Sequence, residues 1–163
     1  MSKEPISVVL TVNGEDNDIK VEATDTLVDV LRERLGLTGT KIMCNLGECG
    51  SCTILMDGTP VSSCLVLAVE CEEKDILTIE GLANLETGTL DPIQDAFVVS
   101  SGMQCGICTP GMILTAKALL EENPTPSEDD IREAISGNLC RCGNYNRITE
   151  SIMSAADHIR GGA

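Results

Sequence analysis

The sequence predicts an α+β protein with a β-rich first half and an all-helical second half. Two observations carry that expectation. The dipeptides Asn13-Gly14 and Asp57-Gly58 each separate short β-rich runs, the pattern of tight hairpins. Past the stretch Gly81 to Asp91 the apolar spacing changes to that of helices.

Taken in order, Ile6 to Val12 reads as a strand, Asn13-Gly14 as its turn and Ile19 to Glu22 as the returning strand. Thr26 then opens a helix with Leu27, Val30, Leu31 and Leu35 on one face and Gly36 as its stop. A cysteine-rich loop follows. Thr53 to Met56 is a strand, Asp57-Gly58 a hairpin turn, Val61 to Cys64 the return and Ile76 to Ile79 a further β-rich piece. Gly81 to Asp91, with two Gly, two Thr and an Asn, reads as a linker. Helices are then expected over Ile93 to Val99, Met112 to Leu120, Ile131 to Ile135 and Ile148 to Ile159. Pro110 suits a first helical position, Ser127 an N-cap, and Pro124 and Pro126 a break between helices. The expected division is thus 1–80, a linker at 81–91, and a four-helix unit at 92–163.

Composition removes several function classes. In 163 residues there are one Phe, one Tyr and no Trp, so bases would find no stacking platform. Eleven Lys+Arg against 26 Asp+Glu give a net charge of −15, which repels nucleic-acid backbones and anionic membrane surfaces. A hydrophobic share of 42% excludes a wholly disordered chain. No apolar run approaches the roughly 18 residues of a membrane span. Met1 to Ile6 lacks the basic start and apolar stretch of a secretory signal. Nine cysteines, an odd number with no sign of an oxidising compartment, suit cytoplasmic metal-binding thiolates better than a disulfide scaffold.

Eight of those cysteines fall into two sets. Cys44, Cys49, Cys52 and Cys64 follow C-x4-C-x2-C with a distant fourth, the plant-type [2Fe–2S] spacing. A two-residue turn at Asp57-Gly58 would set Cys52 opposite Ser63 and return Cys64 to the loop that holds the other three. Gly47 and Gly50 suit a loop wrapped closely around a cluster. The x4 arm fits the paired knuckles of a zinc site badly.

The second set is Cys105 and Cys108, just before a helix start, with Cys140 and Cys142 flanking Arg141. In extended backbone Cys140 and Cys142 would point the same way. Spacing alone leaves zinc open here. Cys71 is left over as a small buried hydrophobe. His158 is expected at the surface, the methionines as core filler, and Glu128, Asp129 and Asp130 as a favourable start to a helix.

The two sets in this order, with QCGICTPGM at Gln104 to Met112 and GNLCRC at Gly137 to Cys142, resemble one family across nearly the whole chain. It is the small iron–sulfur subunit of molybdenum hydroxylases of the xanthine dehydrogenase/aldehyde oxidase type. Small subunits of carbon-monoxide dehydrogenase, nicotinate dehydrogenase and 4-hydroxybenzoyl-CoA reductase are built similarly. The x31 gap between Cys108 and Cys140 matches as well.

The resemblance implies a β-grasp ferredoxin-like [2Fe–2S] domain followed by a four-helix domain with a second [2Fe–2S] cluster. It also implies a large molybdopterin-binding subunit and a medium FAD-binding subunit as partners. Gln104 and Cys142 would lie against the molybdopterin, and the first cluster would face the flavin. Single electrons would pass between molybdenum and flavin. Two positions differ from common family residues: Met43 replaces a Gly, and Gly143-Asn144-Tyr145 replaces Thr-Gly-Tyr. Asn tolerates a left-handed backbone, so the second turn is expected to survive. No residue is set out as an acid, base or nucleophile, and the chain alone is expected to turn over no substrate. The rival readings are a free-standing two-cluster ferredoxin and a zinc-stabilised interaction module.

Overall fold

The computed structural model describes residues 4–84 and 86–161. Met1 to Lys3, within the segment read for a signal, Leu85 of the expected linker, and Gly162 and Ala163 lie outside the described residues.

Strands β1 (Ile6–Val12) and β2 (Glu15–Val21) form an antiparallel hairpin. Asn13 and Gly14 both have positive φ, 54° and 80°, as the tight turn between twisted strands requires. Every residue after the turn pairs, so β2 begins at Glu15 rather than at Ile19 as expected. Pairing with β1, not apolar content, makes Glu15 to Asp18 a strand. β2 is an edge strand, and its acidic residues Asp16 and Asp18 oppose further strand addition.

Thr26 caps the short helix α1 (Leu27–Asp29), its hydroxyl accepting from Asp29 N–H at 3.4 Å. The helix widens over Val30–Arg34, where Leu35 N–H donates to Val30 O five residues back. Leu27, Val30 and Leu31 are buried as their spacing predicts, and so is Val28.

Strands β3 (Thr53–Met56) and β4 (Thr59–Ser62) form the second hairpin around Asp57 and Gly58, at φ 49° and 77°. The strand β5 (Asp75–Leu77) lies between β1, parallel to it, and β3, antiparallel to it. The result is a mixed five-stranded sheet in the order β2-β1-β5-β3-β4. Asp57 Oδ2 accepts from Lys74 Nζ at 2.8 Å, and that ammonium holds the carboxyl below its ordinary range. Two strand boundaries differ from expectation. β4 ends at Ser62, and Cys64 sits in the tight turn Ser63–Leu65. β5 ends at Leu77, and Ile79–Gly81 makes another such turn.

The second half contains α2 (Pro92–Val99), α3 (Thr109–Glu122), α4 (Glu128–Ala134) and α5 (Tyr145–Gly161). Asp91 with Gln94, and Ser127 with Asp130, form reciprocal caps at the starts of α2 and α4. The Ser127 hydroxyl and amide hold the Asp130 carboxyl below its usual range, so this acidic cluster has a local structural role. α4 ends one residue before Ile135, which starts a tight turn over Ile135–Gly137.

Two apolar cores result. One joins Leu10, Leu27, Leu31, Ile54 and Ile76 under the sheet, with Cys71 fully buried in it. The other joins Ile93, Phe97, Met112, Ile131, Ile148 and Ile152 between the helices, with Ile79 and Leu82 packed against it. His158 is exposed. The methionines divide: Met112 is fully buried, whereas Met43, Met103 and Met153 are exposed, contrary to their expected role as core filler. Isolated apolar side chains at a surface cost little. Phe97 is the largest fully buried side chain. Phe97→Ala should lower stability by about 3–5 kcal/mol, read from the shift in urea midpoint at unchanged slope.

Candidate metal centres

The first cysteine loop runs between the helical turn ending at Arg34 and strand β3. It has neither helix nor strand geometry, and four of its residues, Gly36, Asn45, Gly47 and Gly50, take positive φ. That backbone turns successive N–H groups inward. Leu46 N–H donates to Cys44 Sγ at 3.4 Å. The Leu46 amide, with the Cys49 thiol and the Glu48 and Cys49 amides, brings the Cys44 thiol down to about 7. The loop is thus built to hold negative charge on sulfur.

The β3–β4 hairpin returns the fourth thiol as its register predicts. Ser63 N–H and Ser63 Oγ both donate to Cys52 O, at 3.3 and 2.6 Å. Cys64 follows, buried with Cys52 against Val28. Burial, and the neighbouring Cys52 thiol after it, push the Cys64 thiol up to about 11. Gly47 must be glycine on two grounds: its φ is 78°, and a Cβ there would stand 2.3 Å from Leu65 Cδ1. Met43, by contrast, has no positive φ and is half exposed, so glycine is not needed before Cys44; the left-handed residue is Asn45.

The second group forms where the segment before α3 meets the segment before α5. Cys108 is the N-cap residue of α3, and Cys105 lies in the preceding turn around Gly106, at φ 84°. Cys140 and Cys142 are not in extended backbone as expected. Gly143, at φ 71°, closes a turn in which its N–H donates to Cys140 O at 3.1 Å. The turn separates the two thiols: Cys140 meets Cys108, and Cys142 meets Cys105. The left-handed residue is Gly143 rather than Asn144, so Asn144 is free for another task. Its Oδ1 accepts from Gln104 Nε2 at 3.2 Å and its Nδ2 donates to Ser101 O at 3.0 Å, clamping the two segments together. Tyr145 Oη accepts from Cys140 N–H at 2.9 Å.

Burial differs within this group. Cys108 and Cys140 are buried, whereas Cys105, Cys142 and Gln104 are exposed. Burial, then Cys140, pushes the Cys108 thiol up to about 12, while the Ile107 amide lowers Cys105.

All eight expected thiols therefore meet in two groups of four, and Cys71 stands apart in the sheet core. Within each group they meet in twos: Cys44 with Cys49, Cys52 with Cys64, Cys105 with Cys142, and Cys108 with Cys140. Among the described residues, no three or more His, Cys, Asp or Glu are set around one point as a single ion would need. Two thiolate pairs suit a two-iron cluster, in which each iron takes two cysteine ligands. Amides aimed at sulfur, left-handed loop residues and an all-sulfur donor set fit such a group. Nothing in the sequence singles out Val28 for these sites, and the parts that Asn144 and Tyr145 play, in a segment noted only as a departure from the family pattern, depend on which distant residue each one meets.

A mixed sheet with helices and two all-cysteine groups defines a two-centre iron–sulfur protein. Residues 10–82 match the family described as 2Fe-2S iron-sulfur cluster binding domain, and residues 78–153 the [2Fe-2S] binding domain family. The nicotinate dehydrogenase small FeS subunit of Eubacterium barkeri is 46% identical, over 93% of this chain and 96% of its own length. The nicotine 6-hydroxylase small subunit of Paenarthrobacter nicotinovorans is 44% identical, over 94% and 92%. Among solved structures, quinoline 2-oxidoreductase from Pseudomonas putida 86 has a chain similar at TM-score 0.91 and 48% identity, over 97% of this chain and 98% of that one. The aldehyde oxidoreductase from Desulfovibrio gigas matches at 0.89 and 41%, over 97% of this chain but 18% of its own. The chain belongs to the family of small iron–sulfur subunits of molybdenum hydroxylases, and it is the two-cluster electron-transfer subunit of an oxidoreductase.

Gly50 has φ 63°, and a Cβ there would stand 2.5 Å from Gly137 O. Gly50→Ala should cost at least about 1–2 kcal/mol from the left-handed backbone alone. It should also lower the iron bound per chain, read by metal analysis beside the urea midpoint.

Proposed function

We propose that Cys44, Cys49, Cys52 and Cys64 hold one [2Fe–2S] cluster in a β-grasp ferredoxin-like unit over 1–80. Cys105, Cys108, Cys140 and Cys142 hold the other, in a four-helix unit over 92–163. When bound, the clusters supply two one-electron stations in series between the molybdopterin centre of a large subunit and the FAD of a medium subunit. The observation that carries this reading is the arrangement of each quartet as two thiol pairs.

The chain's own residues ligate, space and tune. The inward amides at Cys44 favour a more negative cluster, because hydrogen bonds to sulfur stabilise the reduced state. The buried hydroxyls of Ser51 and Thr109 have no protein partner, and each adjoins a cysteine of one quartet. They are available as further donors to sulfur. The exposed Gln104 and Cys142 are the residues that would face the molybdopterin, because that edge of the second quartet lies open. The exposed Ile42, Met43, Leu46 and Leu65 around the first quartet form the face offered to the flavin subunit. All nine cysteines are free thiols, in keeping with a reducing cytoplasmic setting. Among the described residues no helix is long and apolar enough to cross a membrane.

Metal analysis and EPR of the reduced, natively assembled protein test the ligand sets. Cys49→Ser should lose the signal and the iron of the first centre while keeping the second, and Cys140→Ser the reverse. Zinc in place of iron in the unaltered protein would sink the reading. The relay is tested by size-exclusion chromatography of the natively expressed protein. It should co-elute with molybdenum- and flavin-containing chains; a lone red-brown species of 17.3 kDa that reduces unrelated partners would make it a diffusible carrier.

A further inference from the structure

The two cores do not merge: one lies under the sheet and the other between the helices. Apolar burial is non-directional, so it leaves the relative placement of the two cysteine quartets loosely set. A small polar junction lies between them. Asn138 is 4% exposed, and its side chain reaches both halves. Asn138 Nδ2 donates to Gly50 O at 2.9 Å and to Thr53 Oγ1 at 3.2 Å, while Asn138 Oδ1 accepts from Thr115 Oγ1 in α3 at 3.0 Å.

Glycines make this approach possible. A Cβ at Gly111 in α3 would stand 2.4 Å from Gly50 O, and one at Gly50 would stand 2.6 Å from Asn138 Nδ2. Backbone therefore comes close to backbone beside the Asn138 amide. The next residue continues the junction, since Leu139 N–H donates to Cys49 O at 2.9 Å. Cys49 belongs to the first quartet, and Leu139 is bonded to Cys140 of the second. One hydrogen bond thus bridges the backbones that position the two centres.

We infer that Asn138 is a positioning residue: its amide, seated between Gly50 and Gly111, sets the separation and electronic coupling of the two centres. The inference rests on the assignment of a cluster to each quartet. Gly50 O also accepts from Thr53 N–H at 3.1 Å and Thr53 Oγ1 at 2.7 Å, so the first loop keeps its own fastening when Asn138 is changed. Loss of Asn138 therefore removes the side-chain tie that fixes the spacing, leaves the Leu139–Cys49 bond and the packing of Ile79 and Leu82 to hold the halves together, and dismantles neither quartet.

The test uses the full chain in its native complex, with both centres reduced. EPR gives the signal of each centre and the magnetic splitting between them, and rapid mixing gives the rate at which they share an electron. Asn138→Ala should keep the iron content and both sets of g-values, reduce the splitting and slow the exchange. Asn138→Asp, of similar size but without the donor, should behave alike. Gly111→Ala keeps the Asn138 side chain but sets a Cβ 2.4 Å from Gly50 O and 3.1 Å from Asn138 Nδ2; it is the second variant and should also reduce the splitting. Thr115→Val spares both Nδ2 bonds and should keep it.

Unaltered splitting and exchange in Asn138→Ala or in Gly111→Ala with both centres loaded would overturn the inference. So would loss of a centre in both variants, which would assign the junction to folding alone. Where only one variant loads, that variant decides. Absence of two iron centres from the unaltered protein would instead refute the ligand assignment, an outcome visible before any variant is made.

Discussion

Amide groups turned toward sulfur are the constraint on which the rest of this molecule depends. A loop whose N–H groups point at Cys44 cannot spend them on a helix or a ladder, so its shape must come from left-handed residues and from its surroundings. Asn45, Gly47 and Gly50 supply the local part. The remainder comes from outside the loop: Leu65 fills the space that a side chain at Gly47 would need, and Val28 backs Cys52 and Cys64. The short helix and the second hairpin therefore act as the frame of an irregular segment that could not hold itself.

The second quartet meets the same constraint with different parts. The start of α3 supplies Cys108 and the positive end of a helix, which favours negative charge on sulfur. The turn closed by Gly143 supplies Cys140 and Cys142 from the far side. Because these segments lie more than thirty residues apart in the chain, they need fastening, and the Gln104–Asn144–Ser101 hydrogen bonds provide it at the exposed edge. Tyr145 fastens the buried edge through the Cys140 amide. One side of the site, at Cys108 and Cys140, is thereby buried, and the other, at Cys105 and Cys142, is exposed.

Surface charge and core composition follow separate rules here. The acidic excess lies on exposed positions such as the edge strand β2 and the first turn of α4, where it opposes strand addition or favours a helix start. The cores are built from aliphatic residues with Phe97 as their one large ring. Neither feature is specific to redox chemistry. That chemistry is confined to the two loops and the turns that meet them.

Much of this organisation was legible in local sequence. Turn dipeptides demand positive φ at known positions, so both hairpins and the register that sets Ser63 against Cys52 could be read directly. Thr26 as a helix opener, Ser127 as a cap and the spacing of apolar residues marked the helices, whereas Asp91, read as the end of the linker, caps α2. Strand ends were less legible, because β2 is extended through Glu15 to Asp18 by its partner rather than by its own residues. The curl of Cys140 to Cys142, expected to be extended, escaped for a related reason: those three residues do not say whether they run straight or curl until the opposing thiols are placed. By itself, then, the chain determined where it would turn and which aliphatic faces would bury, since each depends on neighbours a few positions away, and the spacing of the cysteines separated them into two sets. Only the tertiary structure decided how the thiols pair within a quartet, and how the Asn138 amide bridges Gly50, Thr53 and Thr115. Those outcomes rest on directional contacts between segments far apart in the chain, and no local pattern encodes a distance between two backbones that have yet to meet.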